Sequence, residues 1–405
     1  MAAQDGQRDP MTQSGKIGAV VYDLRASGVV RNLLRIAQRA RADGIDFQIW
    51  PLRPQGEFLD QANDVATVDP VLSASVGVQR DFDSFRHHKA VAETLAKRAP
   101  SLVFSPGNQM HWHLAKALQI LPAGSRPRLV GRASNAVVSL GEANPVLRAA
   151  VRPHERFQYQ AMHHVVAVSQ ELRNQLVEGL GIAAERVSSI PNGIELGRIA
   201  GTLGQKTKNE RPIILGIGRL SKQKDFGTLI DAVAKLRITP RPALRILGKG
   251  SDAWMARLMR HAERRGIADR LELLGHVEDV AAHLKQADLF VSSSRWEGAS
   301  NAVLEALAFG TPIVATKAPT GIEEVLRPLG EGVLVPVGDA DAMARAMEGR
   351  LAQPRGSAAL IARARDYDLS STLDSYSGLL ARQLSLAEDH CFDSHGTQTA
   401  RLHDN

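Results

Sequence analysis

The sequence of 405 residues holds a single cysteine, Cys391, which excludes an internal disulfide framework and any zinc site built on cysteines. Only 4% of the residues are aromatic. That is too few for the stacking platforms on which single strands are bound, so nucleic acid is not an expected partner. No apolar run reaches the length of a membrane span. The opening stretch MAAQDGQRDPMTQS (1–14) lacks the basic-then-apolar order of a secretory signal and reads as a disordered leader. Cytoplasmic residence follows as the expectation, and no short-period tandem repeat is present.

What the chain does contain is the composition of an ordinary soluble enzyme, 44% hydrophobic and 23% charged. Its 50 Lys and Arg exceed its 43 Asp and Glu, a formal +7. Such an excess suits an anionic small substrate or an anionic membrane surface, and equally a solubilising surface with no specific partner. The length suits two domains better than one. Short β-rich runs alternate with helical patterns in two series. The first is IGAVVYD (17–23), DFQIWPL (46–52), SLVFSPG (101–107), RLVGRAS (128–134) and VVAVS (165–169). The second is PIILGIGRL (212–220), ALRILGKG (243–250), RLELLGHV (270–277), LFVSSS (289–294) and PIVATKA (312–318). This alternation predicts parallel sheets covered by helices on both faces. Between the series, 195–211 lacks apolar periodicity and reads as a linker, which leaves domains over 15–194 and 212–369. A closing helix is expected over 370–387, then a mobile polar tail over 388–405.

Two stretches carry chemistry. After the strand LFVSSS, RWEGAS (295–300) reads as an exit loop and NAVLEALAF (301–309) as a helix that Gly310 ends. Ser300 takes the N-cap position, and the N–H groups of Asn301, Ala302 and Val303 form a ready anion site. Glu297 precedes that tip and Glu305 lies further along the helix. Carboxylates accept from hydroxyls, and hydroxyls beside a phosphate describe a nucleotide-sugar. In GIGRLSKQKDFGTLI (216–230), Gly216 and Gly218 permit a sharp turn after a strand. Arg219 and Lys224 then offer a planar fork and a mobile ammonium, a pairing suited to a diphosphate.

With IPNGI (190–194), GRLSKQKDF (218–226), LRILGKGSD (244–252), LLGHVEDVAAHLKQADLFVSSSRWEG (273–298) and the E-x7-E element of Glu297 and Glu305 in this order, the chain resembles the retaining GT-B glycosyltransferases of family 4 (glycosyl transferases group 1). The resemblance implies two doubly wound Rossmann-like domains facing across a cleft. It implies transfer of a sugar from a nucleotide-diphosphate sugar to a hydroxyl acceptor, a cell-envelope or lipid-linked glycan, with retention of configuration. No cofactor and no metal are implied, the nucleotide-sugar being a co-substrate. Arg219 and Lys224 would hold the diphosphate, Glu297 the transferred sugar and Glu305 the ribose. Ala299, Ser300 and Asn301 would meet phosphate or sugar through their backbone, and His276 and Val277 the base. Gly218, in the turn before Arg219, is a further donor-binding candidate.

In the first domain, RASGVVRN (25–32) occupies the place of the family's glycine loop, making Ser27 and Gly28 donor-side candidates, although the usual double glycine is missing. The histidine that many relatives carry at a strand end is replaced by Ser105, Pro106, Gly107 and Asn108. Asn108, His111, Arg132 and Asn135 are the expected acceptor contacts, with Ser134 beside them. DAD (339–341) and DYD (366–368) mimic metal-binding pairs, but neither follows a strand facing the ligand. A sugar-nucleotide epimerase and a non-catalytic nucleotide-sugar binder remain alternatives. The basic amphipathic stretch VLRAAVRPHERFQYQAMHH (146–164) leaves open a peripheral position at the inner face of an anionic membrane.

Overall fold

All ten apolar runs form strands, and every pairing between neighbours is parallel. The structure is a computed structural model describing residues 15–71, 84–137, 145–196, 209–330, 333–352 and 358–399, apart from the side chains of 84–86 and 389–399. The expected leader and most of the expected linker fall outside the described residues.

The first sheet is built from β1 (Lys16–Val21), β2 (Asp46–Pro51), β3 (Thr67–Val68), β4 (Leu102–Ser105), β5 (Arg128–Ala133), β6 (His164–Ala167) and β7 (Val187–Ser189), in the order β3-β2-β1-β4-β5-β6-β7. The second contains β8 (Ile213–Ile217), β9 (Ala243–Leu247), β10 (Leu271–Gly275), β11 (Leu289–Ser292), β12 (Ile313–Thr316) and β13 (Leu334–Val335), ordered β10-β9-β8-β11-β12-β13. Both are doubly wound. The order reverses between β1 and β4 in one sheet and between β8 and β11 in the other, and ligands of such sheets bind beyond the strand ends at that reversal. The central strands β4, β11 and β12 are buried along their whole length, as helices on both faces require.

By contacts the chain divides into two compact units, one of 1–167, 175–190 and 373–405, the other of 168–174 and 191–372. In the first, Tyr376, Leu379, Leu380 and Leu384 of the closing helix join Ile17, Phe47 and Phe104 in one apolar cluster. That helix runs from Leu369 to Thr399 rather than stopping at 387. Neither proline nor glycine interrupts 388–395, so nothing local stops it where a mobile tail was expected.

The aspartates of the two metal-like triplets serve the fold. Asp339 accepts from the N–H of Ala342 at 2.8 Å as an N-cap, and Asp341 meets Lys235 at 2.6 Å. Asp366 pairs with Arg363 at 2.7 Å, and Asp368 accepts from the N–H of Ser370 at 3.0 Å. Among the described residues no cluster of three or more His, Cys, Asp or Glu is placed to hold a metal ion.

Candidate functional site

The chemistry-bearing residues of the second unit stand on the loops leaving β8 and β11, the two strands that flank its reversal point. Gly218 follows β8 with φ 150 and donates its N–H to the carbonyl of Leu247 at 2.8 Å. A Cβ at Gly218 would lie 2.5 Å from Lys224 Cε, so only glycine lets the lysine chain cross over the turn. Gly248, φ 146, is tighter still: its Cβ would meet the carbonyl oxygen of Gly218 at 2.0 Å. The turn is thereby pressed against the end of β9, and Lys224 is laid across it toward β11.

There Lys224 Nζ meets Glu297 Oε1 at 2.5 Å, with side-chain exposures of 18% and 7%. Ser294 Oγ donates to the same oxygen at 2.5 Å. The two loops are fastened along their length. Ser293 Oγ donates to the carbonyl of Lys224 at 2.7 Å, the N–H of Arg295 to the carbonyl of Gln223 at 2.7 Å, and Gln223 Nε2 to the carbonyl of Trp296 at 3.0 Å. Arg295 also pairs with Asp225 at 3.0 Å. On its far side the Glu297 backbone is held by the loop after β12, through the carbonyl of Pro319 and the hydroxyl of Thr320. A carboxylate fixed on so many sides presents its remaining oxygen in one place. Arg219 differs: it is exposed, and its side chain has no partner among the described residues.

The Asn301–Ala308 helix begins after Ser300, as expected, but the Ser300 hydroxyl caps nothing. Instead the carbonyl of Ser300 takes the N–H groups of Val303 and Leu304 at 3.1 and 3.2 Å. Val303 therefore drops out of the expected anion site. The N–H groups of Asn301 and Ala302 have no acceptor among the described residues, and that of Ser300 is in the same position. Glu305 lies half-buried one turn along the same helix. Lys224 and Glu297 are thus in direct contact, and Arg219, Ala299, Ser300, Asn301 and Glu305 lie on the same two chain segments. His276 and Val277 follow β10 at the sheet edge. His276 is exposed, and Val277 packs against the cluster that holds Val303 and Leu304.

The first unit corrects several expectations. His111 is wholly enclosed, its ring edge-on to Tyr159 at 5.4 Å, and burial holds its pKa down to about 3. It occupies the periodic apolar positions His111, Leu114, Ala115 and Leu118 of its helix, a pattern legible in the sequence. Arg132 is 2% exposed and donates to the Tyr376 hydroxyl at 3.0 Å and the carbonyl of Pro106 at 3.3 Å. Neither can meet an acceptor from these positions. Asn108 braces the ends of β4 and β5, accepting from the N–H of Ser134 at 2.7 Å and donating to Tyr159 at 3.2 Å. Asn135, half-exposed like Asn108, differs in that among the described residues its side chain makes only a local bond, accepting from the N–H of Ala136 at 3.0 Å. Ser27 caps the Gly28–Ala42 helix through Val30 at 3.2 Å, and Gly28 is exposed.

Sequence reasoning missed Ser294 and Asn192. The serine run at the end of β11 was a signal for the first; Asn192 stands in the quoted IPNGI without a role until its contacts are seen.

Residues 26–198 match the family model for Glycosyltransferase Family 4, and residues 204–367 the model for Glycosyl transferases group 1. The lipopolysaccharide core biosynthesis glycosyltransferase LpsE of Rhizobium meliloti is 35% identical over 41% of this chain and 50% of its own length. The D-inositol 3-phosphate glycosyltransferase of Geodermatophilus obscurus is 31% identical over 60% of this chain and 57% of its own. The chain thus spans about half the length of these curated relatives. Sucrose-phosphate synthase from Thermosynechococcus elongatus superposes with a TM-score of 0.76 over 92% of this chain and 100% of that one, at 18% identity, a likeness of fold alone. With one doubly wound sheet under each of the two glycosyltransferase models, the chain has the two-domain GT-B fold, and the matches support a GT-B glycosyltransferase family.

Proposed function

We propose that the protein transfers a sugar from a nucleotide-diphosphate sugar to a hydroxyl acceptor, with retention of configuration and without a metal ion. The observation that carries this reading is the Lys224–Glu297 contact beside a helix start whose first N–H groups have no acceptor among the described residues. Cations and amides suit a diphosphate, and a fixed carboxylate suits the hydroxyls of a sugar. In the reaction the bond from the anomeric carbon to the diphosphate oxygen breaks as the acceptor oxygen bonds to that carbon. The acceptor proton passes to the departing phosphate, and the acceptor enters from the leaving-group face. Charge growing on the phosphate is met by Arg219, Lys224 and the amide-rich tip at Asn301, the type of fixed positive potential that supplies the largest share of such catalysis. Glu297 holds the sugar, Glu305 the ribose, and the His276–Val277 backbone the base. In the first unit, Ser27 and Gly28 on the loop after β1 are the candidates for donor contact, and Asn135 is the candidate for acceptor contact. The relatives' names, lipopolysaccharide core synthesis among them, favour a cell-envelope or lipid-linked acceptor.

A thermal-shift screen over UDP-, GDP- and ADP-sugars tests this reading. One sugar-nucleotide should raise the melting temperature, since a ligand at a hundred times its Kd adds about 2.7 kcal/mol to apparent stability. The same donor should be consumed at an unchanged rate in EDTA. No shift with any donor would dismiss the function; loss of turnover in EDTA with recovery in manganese would dismiss metal independence.

A peripheral membrane contact belongs to the same proposal. Within the Pro145–Gln160 helix, Arg148, Arg152 and Arg156 recur at four-residue spacing on the exposed side, below Val146 and Leu147 at 76% and 47% exposure. Such a ridge suits anionic headgroups, each cation near the surface contributing about 1 kcal/mol. Co-sedimentation with phosphatidylglycerol vesicles at low salt should be lost in R148E/R152E/R156E and absent with phosphatidylcholine. Failure of the wild-type chain to sediment would end this part of the proposal. Among the described residues no helix is long and apolar enough to cross a membrane.

A further inference from the structure

Asn192 is 7% exposed, and its side-chain nitrogen lies 3.0 Å from the carbonyl oxygen of Ala299 and 2.7 Å from Asn301 Oδ1. Its own segment is fixed by main-chain bonds: the N–H of Ile194 donates to the carbonyl of Tyr367 at 2.8 Å, and that of Leu369 to the carbonyl of Ile194 at 3.0 Å. Between them, Gly193 packs so closely that a Cβ would lie 2.6 Å from Leu369 Cα. The Asn192 amide is therefore presented by a rigid strap, not by a wandering loop.

Its chemistry dictates what lies beyond it. A backbone carbonyl only accepts, so the Asn192 group facing Ala299 is the NH2. The Asn301 atom facing that NH2 must in turn be oxygen, which leaves the Asn301 NH2 on the other side of its amide. The same logic holds for the main chain. In a planar trans peptide the C=O and the following N–H point in opposite directions. With the carbonyl of Ala299 drawn to Asn192, the N–H of Ser300 faces away from it. Neither the Ser300 N–H nor the Asn301 NH2 has an acceptor among the described residues. One buried amide thus sets the direction of two donors at the tip of the Asn301–Ala308 helix.

We infer that Asn192 is a positioning residue for the donor diphosphate, turning the Ser300 N–H and the Asn301 side-chain amide toward the anion. This inference rests on the donor reading above and assigns the Asn301 side chain, not only its backbone, to phosphate recognition. It predicts an unusual ranking of variants. Asn192→Ala removes both bonds but leaves Asn301 free to keep its NH2 outward. Asn192→Asp is closer in shape and does more harm. The introduced carboxylate repels the Ala299 carbonyl and attracts the Asn301 NH2, so the Asn301 amide reverses and offers its oxygen to the phosphate.

The test measures dissociation constants by calorimetry for UDP, GDP and ADP with the full chain, and for the matching free nucleoside by saturation-transfer NMR. For the nucleotide that binds the wild type, Asn192→Asp should lose at least about tenfold in affinity, the loss expected of a hydrogen bond to a charged group. Asn192→Ala should lose less, and nucleoside binding should change by less than about threefold. Asn301→Asp, with Asn192 intact, should reproduce the phosphate-selective loss, which keeps the inference testable if Asn192→Asp fails to fold. Equal losses for nucleotide and nucleoside, or a harmless Asn301→Asp, would overturn the positioning role. Failure of the wild type to bind any of the three nucleotides would overturn the donor reading itself, and this inference with it.

Discussion

Arg219→Ala should lower turnover by on the order of 10²-fold or more while leaving the melting temperature unchanged, the scale set by loss of one oxyanion donor. The separation of the two effects follows from how Arg219 sits. Its side chain is exposed and has no hydrogen-bond or ion-pair partner among the described residues. Arg363 shows the opposite arrangement, donating to the carbonyls of Val325 and Glu324 and to Tyr367, so that its removal would loosen the fold. Among the described residues nothing holds the Arg219 side chain, and in the proposed transfer the diphosphate is the anion that would use it. Because negative charge on that diphosphate grows as the sugar departs, the loss should fall on kcat more than on donor KM. Arg219→Lys keeps the charge without the planar fork and should recover part of the loss, roughly tenfold. Initial-rate assays following nucleoside diphosphate release decide the matter. A folded Arg219→Ala enzyme with near-normal kcat would remove this residue from the mechanism.

The strands were legible because burial writes itself into composition: a segment covered on both faces must be largely apolar, as Leu102–Ser105 and Ile313–Thr316 are up to their last residue. The edge strands Thr67–Val68, Val187–Ser189 and Leu334–Val335 were missed, each too short to display a period. At the site, placement that follows from local pattern was legible: the glycine turn at 218 after β8, and Lys224 and Glu297 on the loops leaving β8 and β11, where they meet. Residues whose role depends on a distant partner were not. Arg132 looked available at a strand end, but its partner Tyr376 lies 244 positions away in sequence. Asn108 likewise became a brace only through Ser134 and Tyr159. Polar residues at strand ends are candidates for ligand contact and for bracing alike, and side-chain partners decide between the two.

The pairing of Lys224 with Glu297 yields the sharpest expectation for a double substitution. Lys224→Met leaves a carboxylate of 7% exposure with the Ser294 hydroxyl as its remaining side-chain donor among the described residues. Stability should fall by about 1–3 kcal/mol, the cost of an unsatisfied buried polar group. Glu297→Gln removes the charge but keeps an oxygen that can accept from Ser294 and Lys224, so its stability cost should stay below about 1 kcal/mol. Joining the two should restore most of the stability lost in Lys224→Met, because no buried charge is then left unpaired. Turnover should not return with it. If Lys224 acted only as a counter-ion for Glu297, the double variant would turn over no more slowly than Glu297→Gln alone; if it faces the leaving diphosphate, the double variant falls on the order of 10²-fold below that single variant. The Glu297→Gln single variant separates a further pair of mechanisms. A carboxylate that only grips sugar hydroxyls should cost roughly ten- to a hundredfold when replaced by an amide of the same shape. A carboxylate that bonds to the anomeric carbon would leave almost no turnover and would yield a sugar-modified peptide containing Glu297. Chemical denaturation of the four proteins, with rates and peptide mass spectrometry on the same samples, distinguishes these cases. Front-face transfer survives only if Glu297→Gln retains measurable turnover and no covalent sugar is found at that position.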